Sequence, residues 1–158
     1  MESPTLAGYI VFLRNEGFPV GVLPDNSYWI GASYNLAMNM VNTQLKAIPN
    51  ADSDYPSLYA VAVYNFATDR LVNITPDNPA LTPPDNVFFA TLRIKFKLSG
   101  FVSGVVQSTQ DETTSVTLKV PAWASDLMLL ELQLLKTPWG QAYLAIAQTM
   151  GPTSWGLS

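Results

Sequence analysis

Few residues in this chain can do chemistry. Its 158 residues include no histidine and no cysteine. That removes the commonest general base, the commonest transition-metal ligand and every thiolate. Ser–His and Cys–His nucleophile pairs and tetrahedral zinc sites are thereby set aside. Carboxylates and cations remain. Asp52 and Asp54 form one close pair in sequence, and Asp111 and Glu112 another; either could in principle divide acid and base roles. Both pairs sit in polar turn sequence, where capping and solvation account for them. The glycines of "GFVSG" lack the following Lys-Ser/Thr of a phosphate-binding loop. Arg93, Lys95 and Lys97 are the one basic concentration. Firm nucleic-acid binding uses about 6–10 phosphate contacts, so this cluster reads as a solvated face or an intersubunit ion pair. The sequence points to no enzyme, no metal and no cofactor.

Composition directs attention to the surface instead. Charged residues make up 13% of the chain and hydrophobic ones 48%, with a net charge of −4. Ordinary soluble domains carry about 25% charged residues. Either the surface is covered by Ser, Thr, Asn and Gln, or much of it is buried against other chains. The length suits one domain with a real core. No apolar run reaches the ~20 residues of a membrane span. "MESPTLAGYIVFL" carries an early Glu2 and no basic segment, so no secretory signal is expected.

The elements that would position these residues read as mostly helical. A first helix is expected over 4–15, with Ser3 as cap, Pro4 in its first turn and Leu6, Tyr9, Ile10 and Leu13 on one face. Gly17 and Pro19 end it. A second helix is expected over about 27–47, capped by Asp25 or Asn26, with Trp29, Leu36 and Met40 beside Ile30, Ala37 and Val41. A third, over 56–73 with Asp54 as cap, includes "LYAVAVYNFA". It is apolar on nearly every side and so central; a strand is the alternative. "ITPDNPALTPPDN" (74–86) is a rigid proline-rich loop. Residues 87–98 fit a helix, capped by Asp85 or Asn86 and stopped by Gly100, or a strand, with helix preferred. Residues 105–120 alternate at Val116, Leu118 and Val120 and read as a hairpin with the long polar tip "QSTQDETT". Short helices over 125–135 and 138–149 close the chain. The last has Thr137 as cap and Pro138 at its first position. Trp139 and Tyr143 then face the body of the protein. The expected fold is mainly α: a small helical bundle around a central apolar helix over 1–150, with one long β-hairpin and an extended C-terminal arm, 151–158.

The order of segments carries a resemblance. The apolar helix is followed by "SGVVQSTQDETTSVTLKV" and then by "LQLLKTPWGQAYLAIAQ". Gly104 and Ser108 fit a Gly-x-x-x-Ser turn into an alternating strand at Thr114, Ser115, Val116 and Thr117. Thr137, Trp139, Gly140, Gln141 and Tyr143 fit a Thr-x-(Tyr/Trp)-Gly-Gln-x-(Tyr/Trp) helix opening. Over roughly 55–150 the chain resembles the head–tail connector, or adaptor, proteins of tailed bacteriophages. It departs from them in its longer segment over 74–99 and in having "TQDETT" where a Gly-rich turn is common.

The resemblance implies a structural virion protein of the phage neck. Such a protein forms a homo-oligomeric ring, dodecameric in the usual case, beneath the portal. It extends the DNA channel and docks the next neck or tail-completion protein. DNA passes without specific binding, no membrane is involved, and synthesis is in the bacterial host cytoplasm. Hairpin residues Val106, Ser108, Gln110, Asp111, Thr114 and Val116 would meet a neighbouring subunit. Pro152, Trp155, Gly156 and Leu157 would form a portal-binding arm, with Trp155 folding back on its own subunit as the alternative. The competing functions are another virion structural protein, of tail-completion or minor-head type, and a small non-enzymatic ligand-binding domain.

Overall fold

In the computed structural model, residues 3–49, 56–98 and 133–150 are described, together with the backbone of 108–111 and 114–117. Among these residues five α-helices dominate: α1 (Leu6–Asn15), α2 (Tyr28–Met40), α3 (Leu58–Ile74), α4 (Phe88–Lys95) and α5 (Pro138–Ala147). Single 3-10 turns lie at Thr43–Ala47, Asp85–Val87 and Gln148–Met150. The chain is mainly helical, and α3 is its axis: every residue from Tyr59 to Val72 except Val61 is buried. "YAVAVY" is therefore helix and not strand. Length decides it, because the apolar pattern continues through Phe66 and Leu71 for 17 residues.

Local chemistry sets the ends of these helices. Thr5, rather than Ser3, caps α1, its hydroxyl accepting from the Gly8 N–H at 3.0 Å. Tyr9 and Leu13 are buried as expected, whereas Leu6 is 42% exposed. Past the C-terminus of α1, Gly17 takes φ +89°. The Phe18 N–H then reaches back to the Leu13 carbonyl and the Gly17 N–H to that of Arg14. This left-handed cap favours glycine and swings Phe18 into the core, 2% exposed.

The second helix is shorter than the sequence suggests. It starts after Ser27, not at Asp25 or Asn26, and ends at Met40. Val41 is extended, and the Asn42 side chain accepts from the Gln44 N–H at 2.9 Å. An Asn competing for the backbone in this way converts one long helix into a helix and a separate turn. Ile30, Ala37 and Val41 are buried, while Leu36 stays partly exposed. Ser57, not Asp54, caps α3.

Residues 88–95 form a helix, which decides between the two readings of 87–98. Neither Asp85 nor Asn86 caps it. The Asp77 carboxylate accepts from the Phe89 N–H at 2.7 Å and the Ala90 N–H at 2.9 Å. The helix stops at Lys97, φ +54°, before Gly100, with the Leu98 N–H bonded to the Arg93 carbonyl. A lysine there does a glycine's job at a cost of about 1 kcal/mol. Ser108–Asp111 pairs antiparallel with Thr114–Thr117, with Asp111 opposite Thr114. Most of the sequence taken as the hairpin tip thus lies in the strands. Val106, Gly104, Gly100, most of the segment 125–135 and the arm with Pro152, Trp155, Gly156 and Leu157 lie outside the described residues.

Candidate interaction surfaces

The motif that opens the last helix builds an internal joint. Thr137 caps α5, its hydroxyl oxygen accepting from the Gly140 N–H at 2.9 Å. The same hydroxyl donates to the carboxylate of Asp69 on α3. Thr137 and Asp69 are both fully buried. Asp69 also receives Nε of Arg70 at 2.9 Å, and Arg70 is itself nearly buried. Burial pushes the Asp69 carboxyl above the ordinary carboxylate range; Arg70 and Thr137 pull the other way. One polar knot thus ties the start of α5 to the end of α3.

The remaining motif residues extend this joint. Trp139 packs against Phe18 and Phe96, ring centroids 5.5 and 5.7 Å away, and its indole N–H donates to Glu16 at 2.9 Å. Tyr143 is buried edge-on to Phe66 at 5.0 Å. Gln141 is exposed and donates to the Leu135 carbonyl at 2.7 Å. A Cβ on Gly140 would lie 2.1 Å from the Leu134 carbonyl oxygen, so the chain preceding α5 crosses it directly. Thr137, Trp139, Gly140 and Tyr143 therefore act together and inward, while Gln141 ties the joint from its exposed side.

The basic cluster divides. Arg93 donates to the carbonyls of Val72 and Thr75 at 3.1 and 2.7 Å and pairs with Asp77 at 3.2 Å. It is a clasp between α4 and the end of α3. Lys95 lies over the Phe96 ring. Arg14 likewise pairs with Asp25 while donating to the carbonyls of Phe18 and Leu23. The sequence reading missed these ion pairs. One signal was available: "TDR" is a charged interruption in an otherwise apolar helix, and such a pair must be satisfied internally.

Shallow depressions mark the surface of the described residues. One, about 400 Å³, lies between α1 and the start of α2 and is lined by Leu6, Asp25, Tyr28, Gly31, Ala32 and Asn35. A second, about 260 Å³, runs between α1 and α3 beside Thr5, Val11 and Tyr64. A third, about 330 Å³, sits by the proline loop at Asp77. Among the described residues, no group of three or more acidic side chains gathers as a metal site. None of their helices is long and apolar enough to cross a membrane.

What stands out is a surface without charge. Of the five helices, α2 and α5 alone contain no Asp, Glu, Lys or Arg. Tyr28 on α2 is 75% exposed, and Asn35, Leu36 and Asn39 follow on the same side. Gln141, Ala145, Gln148 and Thr149 are exposed along α5 and its last turn. From Thr137 to Ser158 the sequence has no charged residue at all. The chain matches no protein-family model, no curated protein and no solved structure.

Proposed function

We propose that this chain is a non-enzymatic structural subunit, the ring-forming head–tail adaptor of a tailed bacteriophage. It binds the portal, extends the DNA channel and presents a platform to the next neck or tail-completion protein. The observation that carries the reading is the α5 joint. The residues shared with adaptor proteins, Thr137 to Tyr143, are those that seat the last helix on the central one. Shared residues with an architectural task support a shared architecture, and in that family the architecture is a ring.

Surface chemistry supports the same reading. A head-to-tail ring needs two different contact faces on each subunit, and this chain has two uncharged helix faces. A mildly acidic subunit also lets DNA slide past without gripping it. In this reading the paired strands at 108–117 contact a neighbour, and the uncharged segment after Met150 docks on the portal with Trp155 as anchor. Deleting Gln110–Thr113 should leave the helical body folded and impair assembly; loss of folding would instead place the strands in the core.

Reconstruction of virions that carry this chain is the direct test. A closed ring of copies beneath the portal is the expected result. Placement only at the distal tail or on capsid faces, or absence from virions, overturns the reading.

A further inference from the structure

Resting on the adaptor reading, which puts duplex DNA beside every copy, we infer which end of the fold is turned to the channel: Lys95, Lys97 and Lys136 form a patch that touches DNA phosphates. The sequence groups Lys95 and Lys97 with Arg93, and the fold regroups them. Arg93 is drawn away to Asp77 and to the carbonyls of Val72 and Thr75. In its place comes Lys136, 39 residues beyond Lys97, whose Nζ donates to the Lys97 carbonyl at 3.4 Å. Lys95 and Lys97 are exposed, and among the described residues neither pairs with a carboxylate. Carboxylates at this end of the fold have other partners: Asp77 has Arg93 and the α4 amides, Asp69 has Arg70 and Thr137, and Glu16 has the Trp139 indole. The C-terminus of α4 attracts cations, which accounts for Lys95 but not for Lys136, since Lys136 arrives on the chain before α5. Lys97 holds φ +54°, a conformation that glycine takes freely; with lysine there, the turn carries a charge.

The complement of such a patch is a dense, repeating anion. Duplex DNA carries one negative charge per about 1.7 Å of axis, so neighbouring lysines meet phosphates in any register. An acidic protein segment would have to place its carboxylates to match. Lysine ammonium groups are hydrated point charges on flexible stems, and contacts of this kind to phosphate carry no sequence information. Three contacts per copy fall below the about 6–10 of firm binding, so a single copy lets the duplex go. A ring repeats the patch around the duplex, which centres it, while the net charge of −4 on each chain keeps the whole from gripping.

Fluorescence anisotropy of the free chain with a labelled duplex of about 20 base pairs, across about 20 to 150 mM salt, tests this. Three contacts give a fall of log K with log salt at a slope of about −2.7, an affinity loss of about 200-fold over that range. Lys95→Gln, Lys97→Gln and Lys136→Gln, each checked for parental circular dichroism, should bring the slope to about −1.8 and the loss to about 40-fold. Lys46→Gln removes the same charge at the Tyr59 end of α3 and should leave the slope unchanged. No binding at about 20 mM salt, a slope that the patch variants do not move, or one that Lys46→Gln moves equally, overturns the inference. Polyglutamate of matched charge binding as tightly as the duplex also overturns it, and would make the patch a site for an acidic protein segment. A virion ring with the patch turned away from the channel would overturn the inference and leave the adaptor reading standing. The expected slopes in a chain absent from virions would leave the phosphate contact standing and remove the adaptor reading.

Discussion

Replacing Gly140 by alanine should damage this protein more than its small size suggests. The added Cβ would stand 2.1 Å from the Leu134 oxygen, 2.7 Å from its carbonyl carbon and 2.8 Å from its Cα. All three are backbone atoms, so no side chain can rotate away. Relief requires the first turn of α5 to move by roughly 1 Å or more to reach van der Waals distance. That turn carries the Thr137 cap, whose loss costs about 1 kcal/mol. The same movement pulls the Thr137 hydroxyl from buried Asp69, leaving a carboxylate short of a donor at about 1–3 kcal/mol. Overpacking adds about 1–3 kcal/mol, and alanine's better helix propensity returns about 1 kcal/mol. The net loss is about 2–6 kcal/mol; its midpoint corresponds to about 10–15 °C in Tm for a chain of this size. Gly31→Ala is the control, because nothing lies within 4 Å of its Cβ; it should leave Tm unchanged or raise it slightly. Thermal and urea unfolding followed by circular dichroism give both values. A Gly140→Ala protein melting within a few degrees of the parent would refute the joint as described.

Asp77→Ala removes the remote cap of α4 and one partner of Arg93; it should cost about 1–2 kcal/mol and speed hydrogen exchange at the amides of Phe89 and Ala90 before those of α3. Asp69→Asn strands nearly buried Arg70 and should cost about 3 kcal/mol at neutral pH. It should also remove a pH slope. The folded-state pKa of Asp69 stands above its unfolded value, so the folded state holds the proton more tightly; stability then falls as pH rises from the ordinary carboxylate range toward the folded pKa and is level beyond it. Urea midpoints across acid to neutral pH should show that fall in the parent and not in the variant. Truncation after Gly151, or Trp155→Ala, should leave helicity and Tm nearly unchanged and weaken portal attachment in a pull-down. A lowered Tm with portal binding intact would return the tail to the core.

Helix existence was legible from periodicity in α5, which buries one face, and from the length of the apolar run in α3, which is buried on nearly every side. The Thr137–Pro138 start was legible because both residues have few other uses in sequence. Helix ends were less so wherever a distant side chain decides them. Nothing local says that Asp77 will cap a helix starting 11 residues later, or that Lys97 will accept a left-handed conformation. Asn42 was misread because propensity sums over a window while the break needs one side-chain hydrogen bond. The interaction faces were legible only as low overall charge; which helices lack charge on their exposed sides depends on how they are turned against α3.

That turning sharpens the argument from composition. Asp69 and Arg70 are buried, and other charged residues are engaged within the fold at its surface. Asp69 with Arg70, Asp77 with Arg93, and Arg14 with Asp25 are ion pairs within the fold. Glu16 holds an indole, and Lys46 lies over the Tyr59 ring. Among the described helices, α2 and α5 carry no charged residue, and both share α3 as their support. Screening by salt acts on charge pairs and has little to act on between such faces. In the adaptor reading proposed above, association through such faces should then follow shape and local concentration and be insensitive to salt.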